Sequence, residues 1–100
     1  MAKKSVVNYP RVFEETVPDS VTVGSTSTEI TGANNSRKYA IFVNDSDEII
    51  YLSLGSAAVM NKGIRLNANG GAYEIKDGFF SGVVYGICTS GSKNLTYIDV

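Results

Sequence analysis

The balance of β-branched residues against leucine is the feature that most constrains this chain. Val, Ile and Thr together number 26, whereas Leu occurs only four times. β-branched side chains have restricted rotamers in a helix but pack well on a pleated sheet. From residue 20 onward, short alternating segments are separated by Gly, Asn, Asp and Ser, the usual turn residues. The sequence therefore predicts an all-β fold, an antiparallel β-sandwich or a jelly-roll-like small barrel.

Eight segments are predicted to be strands, at residues 20–23, 27–31, 38–44, 48–54, 64–67, 72–75, 82–89 and 94–100. Both faces of segment 38–44 are apolar, with Ile41 and Val43 on one and Phe42 on the other, which predicts an interior strand. The two short polar segments before it are predicted to lie at sheet edges.

The turn residues also predict how the strands pair. Three hairpins are expected, joining 38–44 to 48–54, 64–67 to 72–75 and 82–89 to 94–100. The second of these contains Asn69-Gly70, a dipeptide that accepts the positive φ angles of a tight turn. Residues 55–63 are predicted to be a loop that crosses between the two sheets.

Residues 1–19 differ from the rest of the chain and are predicted to be an extended N-terminal arm, with residues 20–100 as the sandwich domain. The arm contains both prolines, Pro10 and Pro18, and shows no steady alternation. Its apolar side chains would lie in water if the arm had no partner, so they are predicted to bind one. These partner-binding residues are Val6, Val7, Tyr9, Val12, Phe13 and Val17. The alternative is that the arm adds an edge strand to its own sandwich.

The composition argues against most enzyme classes. The chain has no His, which removes the commonest general base and transition-metal ligand. Cys88 is the only cysteine, so it cannot form an intrachain disulfide or a multi-cysteine zinc site, and a buried, inert thiol is expected. Residues 44–48 depart from the EF-hand pattern and residues 86–93 from the phosphate-loop pattern. We therefore expect no enzymatic activity, catalytic centre, metal or cofactor, with a carboxylate-only hydrolase as a minor alternative.

Charge and hydropathy limit the partners as well. The net charge of -1 provides no broad basic field for phosphates, so no nucleic-acid partner is expected. No apolar run approaches the roughly 18 residues of a membrane span, so no membrane partner is expected either. Most of the tyrosines are predicted to be core or sheet-face residues with their hydroxyls at the rim. The alternative is that Tyr51, Tyr73 and Tyr97, on predicted strands, form a contact surface, because tyrosine combines a large apolar ring with a hydroxyl.

Three stretches of the sequence resemble a recurrent type of small bacteriophage structural protein. They read SRKYAIFVNDSDEIIYLSLG, KGIRLNANGGAYEI and FFSGVVYGICTSGSKNLTYIDV. The matching features are a strand ending at Asn44, a strand ending at Leu54-Gly55, the Gly-Ile-Arg-Leu of residues 63–66 and the closing segment 82–87. The resemblance spans residues 36–100 and leaves the arm unmatched.

This resemblance implies a non-enzymatic virion protein of the head decoration, head-fibre or tail accessory type. It would be made in the host cytoplasm and would form homo-oligomers, such as trimers, bound to the major capsid protein or other virion proteins. The leading hypothesis is a capsid decoration, cement or head-tail accessory protein that attaches through its arm. The alternative is a carbohydrate-binding or receptor-binding module of a phage fibre or tail.

Overall fold

A computed structural model describes residues 15–100 of the chain and contains eight strands in two antiparallel sheets of four. The strands are β1 (Asp19–Val23), β2 (Thr28–Thr31), β3 (Ala40–Asn44), β4 (Ile50–Leu54), β5 (Ile64–Leu66), β6 (Ala72–Ile75), β7 (Val84–Cys88) and β8 (Lys93–Asp99). The described part of the chain has no helix. The predicted all-β sandwich is therefore confirmed.

The strand order identifies the sandwich as a jelly roll. One sheet, called here the β1 sheet, has the order β1-β8-β3-β6, and the other, the β2 sheet, has the order β2-β7-β4-β5. The antiparallel pairs are nested, since β1 pairs with β8, β2 with β7, β3 with β6 and β4 with β5. A single long hairpin rolled into two layers produces this nesting.

The three predicted hairpins are wrong, although their strands lie where they were expected. β3 and β4 belong to different sheets, and so do β5 and β6, and β7 and β8. The loop at residues 55–63, predicted to cross between sheets, instead joins the neighbouring strands β4 and β5 within the β2 sheet. Turn residues mark a reversal of the chain, and a corner between two sheets uses the same residues as a hairpin.

Asn44 shows the local cause of one of these corners. Its side chain is fully buried, and Nδ2 donates to the carbonyl oxygens of Glu48 at 2.7 Å and Leu66 at 3.1 Å. Its Oδ1 accepts a hydrogen bond from Ser46 Oγ at 2.7 Å. Leu66 ends β5 in the opposite sheet, so the Asn44 amide satisfies one backbone carbonyl of the corner itself and one of the facing layer.

The β5–β6 corner packs against the β3–β4 corner. Asn69 and Gly70 both have positive φ angles, 60° and 117°, as predicted for the Asn-Gly turn. Their backbone amides donate to the carbonyl oxygens of Ser46 and Asn44, at 2.7 and 2.8 Å. The turn chemistry was therefore predicted correctly, while the connection it makes was not.

The core lies between the two inner sheet faces. Its buried residues are Val23, Ile30, Ala40, Phe42, Ile50, Leu52, Leu66, Ile75, Val84, Cys88 and Leu95. All of them fall between residues 23 and 95, within the described part of the chain. The predicted places of these strands within the sheets are confirmed too, since β3 is an interior strand and β1 and β2 are edge strands.

Candidate functional site

The predicted arm lies mostly outside the described residues. Val6, Val7, Tyr9, Val12 and Phe13 precede residue 15, whereas Val17 is described and has 71% of its surface exposed. Residues 15–20 are all exposed. The chain therefore enters β1 along an exposed stretch.

The β1 sheet has an apolar outer face beside this entry point. Side chains alternate along a strand, and on β3 and β8 the residues that point away from the core are Ile41, Val43, Thr96 and Ile98. Ile41 lies opposite Ile98, and Val43 lies opposite Thr96, in the register of β3 with β8. All four residues are half-buried in the described part of the chain. We call these four residues the open face.

A shallow groove of about 140 Å³ runs over the open face. Pro18, Asp19 and Tyr97 complete the lining formed by the four residues of the open face. The groove therefore begins at the residues through which the arm joins the sandwich. Both faces of β3 were predicted to be apolar, and the structure shows why: one supplies the core and the other supplies the groove.

Tyr97 and Asp19 fix the end of the groove. Tyr97 pairs with Asp19 in the β1–β8 register, and its hydroxyl donates to Asp19 Oδ2 at 3.3 Å. Its ring stacks on Phe42, with ring centroids 6.1 Å apart. Burial, followed by the negative charge of Asp19, raises the pKa of Tyr97, so the phenol stays protonated as a donor at neutral pH. This contact joins the start of β1 to the core.

A buried arginine, Arg37, binds Asp99, the last residue of β8. Arg37 is 4% exposed, and its guanidinium forms two hydrogen bonds with the Asp99 carboxylate, Nε to Oδ1 at 2.8 Å and Nη2 to Oδ2 at 2.9 Å. The remaining donors bind the carbonyl oxygens of Gly32, Phe80 and Gly82, each at 3.0 Å. One side chain thereby ties two loops to the strand that carries Ile98.

The electrostatics of Asp99 follow from this contact. Burial alone would raise the pKa of Asp99, but hydrogen bonds from Arg37 and Thr31 and the charge of Arg37 outweigh burial and lower it. The sequence alone does not indicate this pair. Arg37 follows Asn34-Asn35-Ser36, a polar run typical of an exposed loop, and no local pattern connects it to residue 99.

The three tyrosines predicted as a contact surface occupy different places. Tyr73 and Tyr97 are partly buried and pack against the core from the β1 sheet. Tyr51 lies on β4 in the other sheet, where it alternates with the buried Ile50 and Leu52 and so points outward. The three side chains therefore do not share one surface.

Tyr51 has neighbours on its own outer face. In the strand register it lies opposite Arg65 on β5 and Ile87 on β7, and Tyr85 lies opposite Ser53. Arg65 Nε donates to Asn67 Oδ1 at 2.9 Å, which orients the guanidinium at this edge of the sheet. The outer face of the β2 sheet is thus a mixed aromatic and polar surface, unlike the open face.

The acidic turn at residues 44–48 is connected to the neighbouring turn before β8. Lys93 Nζ donates to Asp47 Oδ1 at 2.7 Å, and this hydrogen bond and the lysine charge lower the pKa of Asp47. Glu48 accepts from the Ser90 backbone N–H at 2.9 Å and from the Ser90 hydroxyl at 2.6 Å. Within residues 15–100, no group of three or more His, Cys, Asp or Glu side chains is arranged to hold a metal ion.

Cys88 is buried in the core, as predicted. Its Sγ lies 3.3 Å from the carbonyl oxygen of Val23, and burial raises the pKa of the thiol. A protonated, enclosed thiol is a poor nucleophile, which supports the interpretation of Cys88 as a packing residue.

Across the described residues, no helix has the length and apolar character needed to span a bilayer. Comparison with known proteins gives no match to this chain among family models, curated protein sequences or solved structures.

Proposed function

We propose that this protein is a non-enzymatic structural component of a bacteriophage particle, a capsid decoration, cement or head-tail accessory protein that attaches through its N-terminal arm. The observation that carries the proposal is the position of the apolar open face, directly beside the residues where the arm enters β1. A half-buried apolar groove on a small sandwich is typical of a surface that binds another polypeptide.

The fold and the sequence resemblance support the same class of function. Jelly rolls occur in viral capsid proteins and in lectins. Fold alone does not determine function, so the arm and the open face support the proposal more strongly than the fold does. The resemblance of residues 36–100 to small phage structural proteins is what directs the proposal to a virion.

The physical role of the arm would be to add many weak contacts. An extended segment places apolar side chains in a partner's pockets and its backbone along a partner's sheet edge. On a symmetric particle, each copy is held by several such contacts at once, so the effective affinity exceeds that of any single arm. The major capsid protein and neighbouring copies of this chain are the partners that this role requires.

The native mass of the full-length chain tests this proposal. We expect sedimentation velocity, at micromolar concentration and physiological salt, to give a multiple of the 10.7 kDa chain mass. In a lysate of phage-producing cells, the protein is expected to co-sediment with particles. A single 10.7 kDa species in both settings contradicts the proposal.

The alternative function is a carbohydrate-binding or receptor-binding module, and one observation favours it. Tyr51 on the outer face of the β2 sheet has Arg65 opposite it, and an aromatic ring beside a planar polar group is suited to a sugar ring. If the protein has this function, the intact chain should bind glycans on an array. A Tyr51→Ala substitution should lower that binding at least about tenfold. Tyr73→Ala, on the other sheet, is the control, and absence of glycan binding by the intact protein contradicts the alternative.

A further inference from the structure

The charges of the chain are divided between the arm and the body. Residues 1–14 contain the basic residues Lys3, Lys4 and Arg11 and one acidic residue, Glu14. Residues 15–100 contain six basic and nine acidic residues, so the arm has a net charge of +2 and the body a net charge of -3. Opposite net charges attract the arm to the body of any copy of this protein and orient their encounter.

Acidic groups lie at the groove itself. Asp19 is part of its lining, and Glu74 on β6 lies opposite Ile41, next to the open face. The apolar surface therefore has a carboxylate on each of two sides, and one of them, Glu74, accepts a hydrogen bond from the Tyr39 hydroxyl and lies 3.8 Å from Lys76 Nζ. A segment that combines apolar side chains with a basic one matches this pattern, and residues 7–13 contain Val7, Tyr9 and Phe13 together with Arg11.

The size of the groove suits an aromatic side chain. Its volume is about 140 Å³, and an engineered apolar cavity of about 150 Å³ accepts a benzene ring. The arm carries two such rings, on Tyr9 and Phe13. One ring in the groove would cover the exposed parts of Ile41, Val43 and Ile98.

The exposure of residues 15–18 indicates which copy supplies the arm. All four residues are exposed, and Val17 is 71% exposed even though Pro18 lines the groove. Pro18 also restricts Val17 to extended backbone, which does not favour an immediate turn back onto the sheet. Fourteen further residues can extend up to about 45 Å, enough to reach a neighbouring molecule.

We infer that the groove over the open face binds the N-terminal arm of a second copy of this chain, with Tyr9 or Phe13 in the groove and the basic residues of the arm near Asp19 and Glu74. The inference rests on the proposed function, for which it identifies one partner. Each copy then donates an arm and receives one, a head-to-tail arrangement that closes into a ring if the rotation between copies permits.

Disulfide cross-linking between two differently tagged, co-expressed full-length chains tests this arrangement. One chain carries Val12→Cys, which leaves both aromatic rings of the arm in place, and the other carries Thr96→Cys in the groove. Under mild oxidation, we expect a cross-linked product of twice the chain mass that contains both tags. The matched control replaces Thr96→Cys with Ser53→Cys, on the outer face of the other sheet, and is expected to give at least about tenfold less product.

The outcomes separate the inference from the proposed function. If Val12→Cys and Thr96→Cys react only when both are in one chain, the arm binds its own body and the inference is wrong. If the protein assembles but the groove forms no cross-link to the arm in either format, the inference is wrong while the proposed function stands. If the chain is monomeric and no cross-link forms, both are wrong.

A substitution in the groove gives a second measurement that does not depend on cysteine chemistry. Ile41→Lys removes apolar surface from the groove and adds a charge that repels the basic arm, so it is expected to weaken self-association by about tenfold or more. Ser53→Lys is the control, because it adds the same charge to an interior strand on the opposite outer face. Equal self-association of the two variants, with unchanged thermal unfolding, contradicts the inference.

Discussion

Substituting Arg37 by Met is expected to lower the free energy of unfolding by about 3–5 kcal/mol, the cost of leaving one partner of a buried ion pair without the other. Asp99 would stay enclosed without its cation, and the carbonyl oxygens of Gly32, Phe80 and Gly82 would lose their donors. Domains of this size are stable by only about 5–15 kcal/mol, and each kcal/mol changes Tm by about 4–8 °C. Thermal unfolding should therefore show Tm lowered by at least about 12 °C.

Arg65→Met is the matched control. Arg65 is exposed, and its guanidinium donates to Asn67, so the same substitution there is expected to change stability by no more than about 0.5 kcal/mol. A similar loss of stability in both variants would show that the Arg37 contacts carry no special weight.

The pH dependence of stability gives the Arg37 prediction a second readout. The pKa of Asp99 is lower in the folded protein than in the unfolded chain, where it is about 3.9. The pair therefore stabilises the fold above about pH 4, and this contribution is lost as pH falls through the folded pKa. Urea unfolding at pH 7 and pH 3 should show the difference between wild type and Arg37→Met shrinking at pH 3. An undiminished difference would mean that ionisation of Asp99 is not its source.

The positions of the strands could be predicted from the sequence because they depend on local patterns. Alternation and β-branched content placed β6 at its observed bounds and β3 and β4 to within two residues at each end. Pairing between strands depends on contacts distant in sequence. Asn44 looked like the first residue of a hairpin turn, but its amide bonds to Leu66 across the sandwich, and no neighbouring residue signals this contact.

Only part of the candidate site could be predicted from the sequence, for the same reason. The apolar character of both faces of β3 was visible, and Ile41 and Val43 were correctly placed on one face. Ile98 joins them only through the β3–β8 register, which pairs residues 57 positions apart. Arg37 and Asp99 are likewise brought together by the jelly-roll topology, so a buried ion pair between them could not be read from either segment alone.

A chain that begins at Glu15 should fold normally but lose its self-association. It retains all the core residues named above, Pro18, the Asp19–Tyr97 contact and the groove, so its Tm is expected within a few degrees of that of the full chain. It lacks five of the six apolar arm residues, each worth about 1.5–3 kcal/mol when fully buried. Because ordering the arm offsets part of this burial energy, we expect its removal to weaken association at least about hundredfold, or about 3 kcal/mol. Circular dichroism melting and a dilution series would measure the two quantities separately.

A chain that begins at Val6 is the control for this truncation. It loses Lys3 and Lys4 but keeps all six apolar side chains, so it should associate more tightly than the chain that begins at Glu15. Its self-association should be weaker than that of the full chain, and this difference should shrink at high salt, because salt screens the attraction between the arm and the acidic body.

The most direct test of the arm as the fastening element is sedimentation equilibrium of the full chain and the chain that begins at Glu15, at the same concentration, pH and salt. We predict an assembled mass, a multiple of 10.7 kDa, for the full chain and a monomer mass for the shortened one. Equal states of association in the two chains would contradict the account.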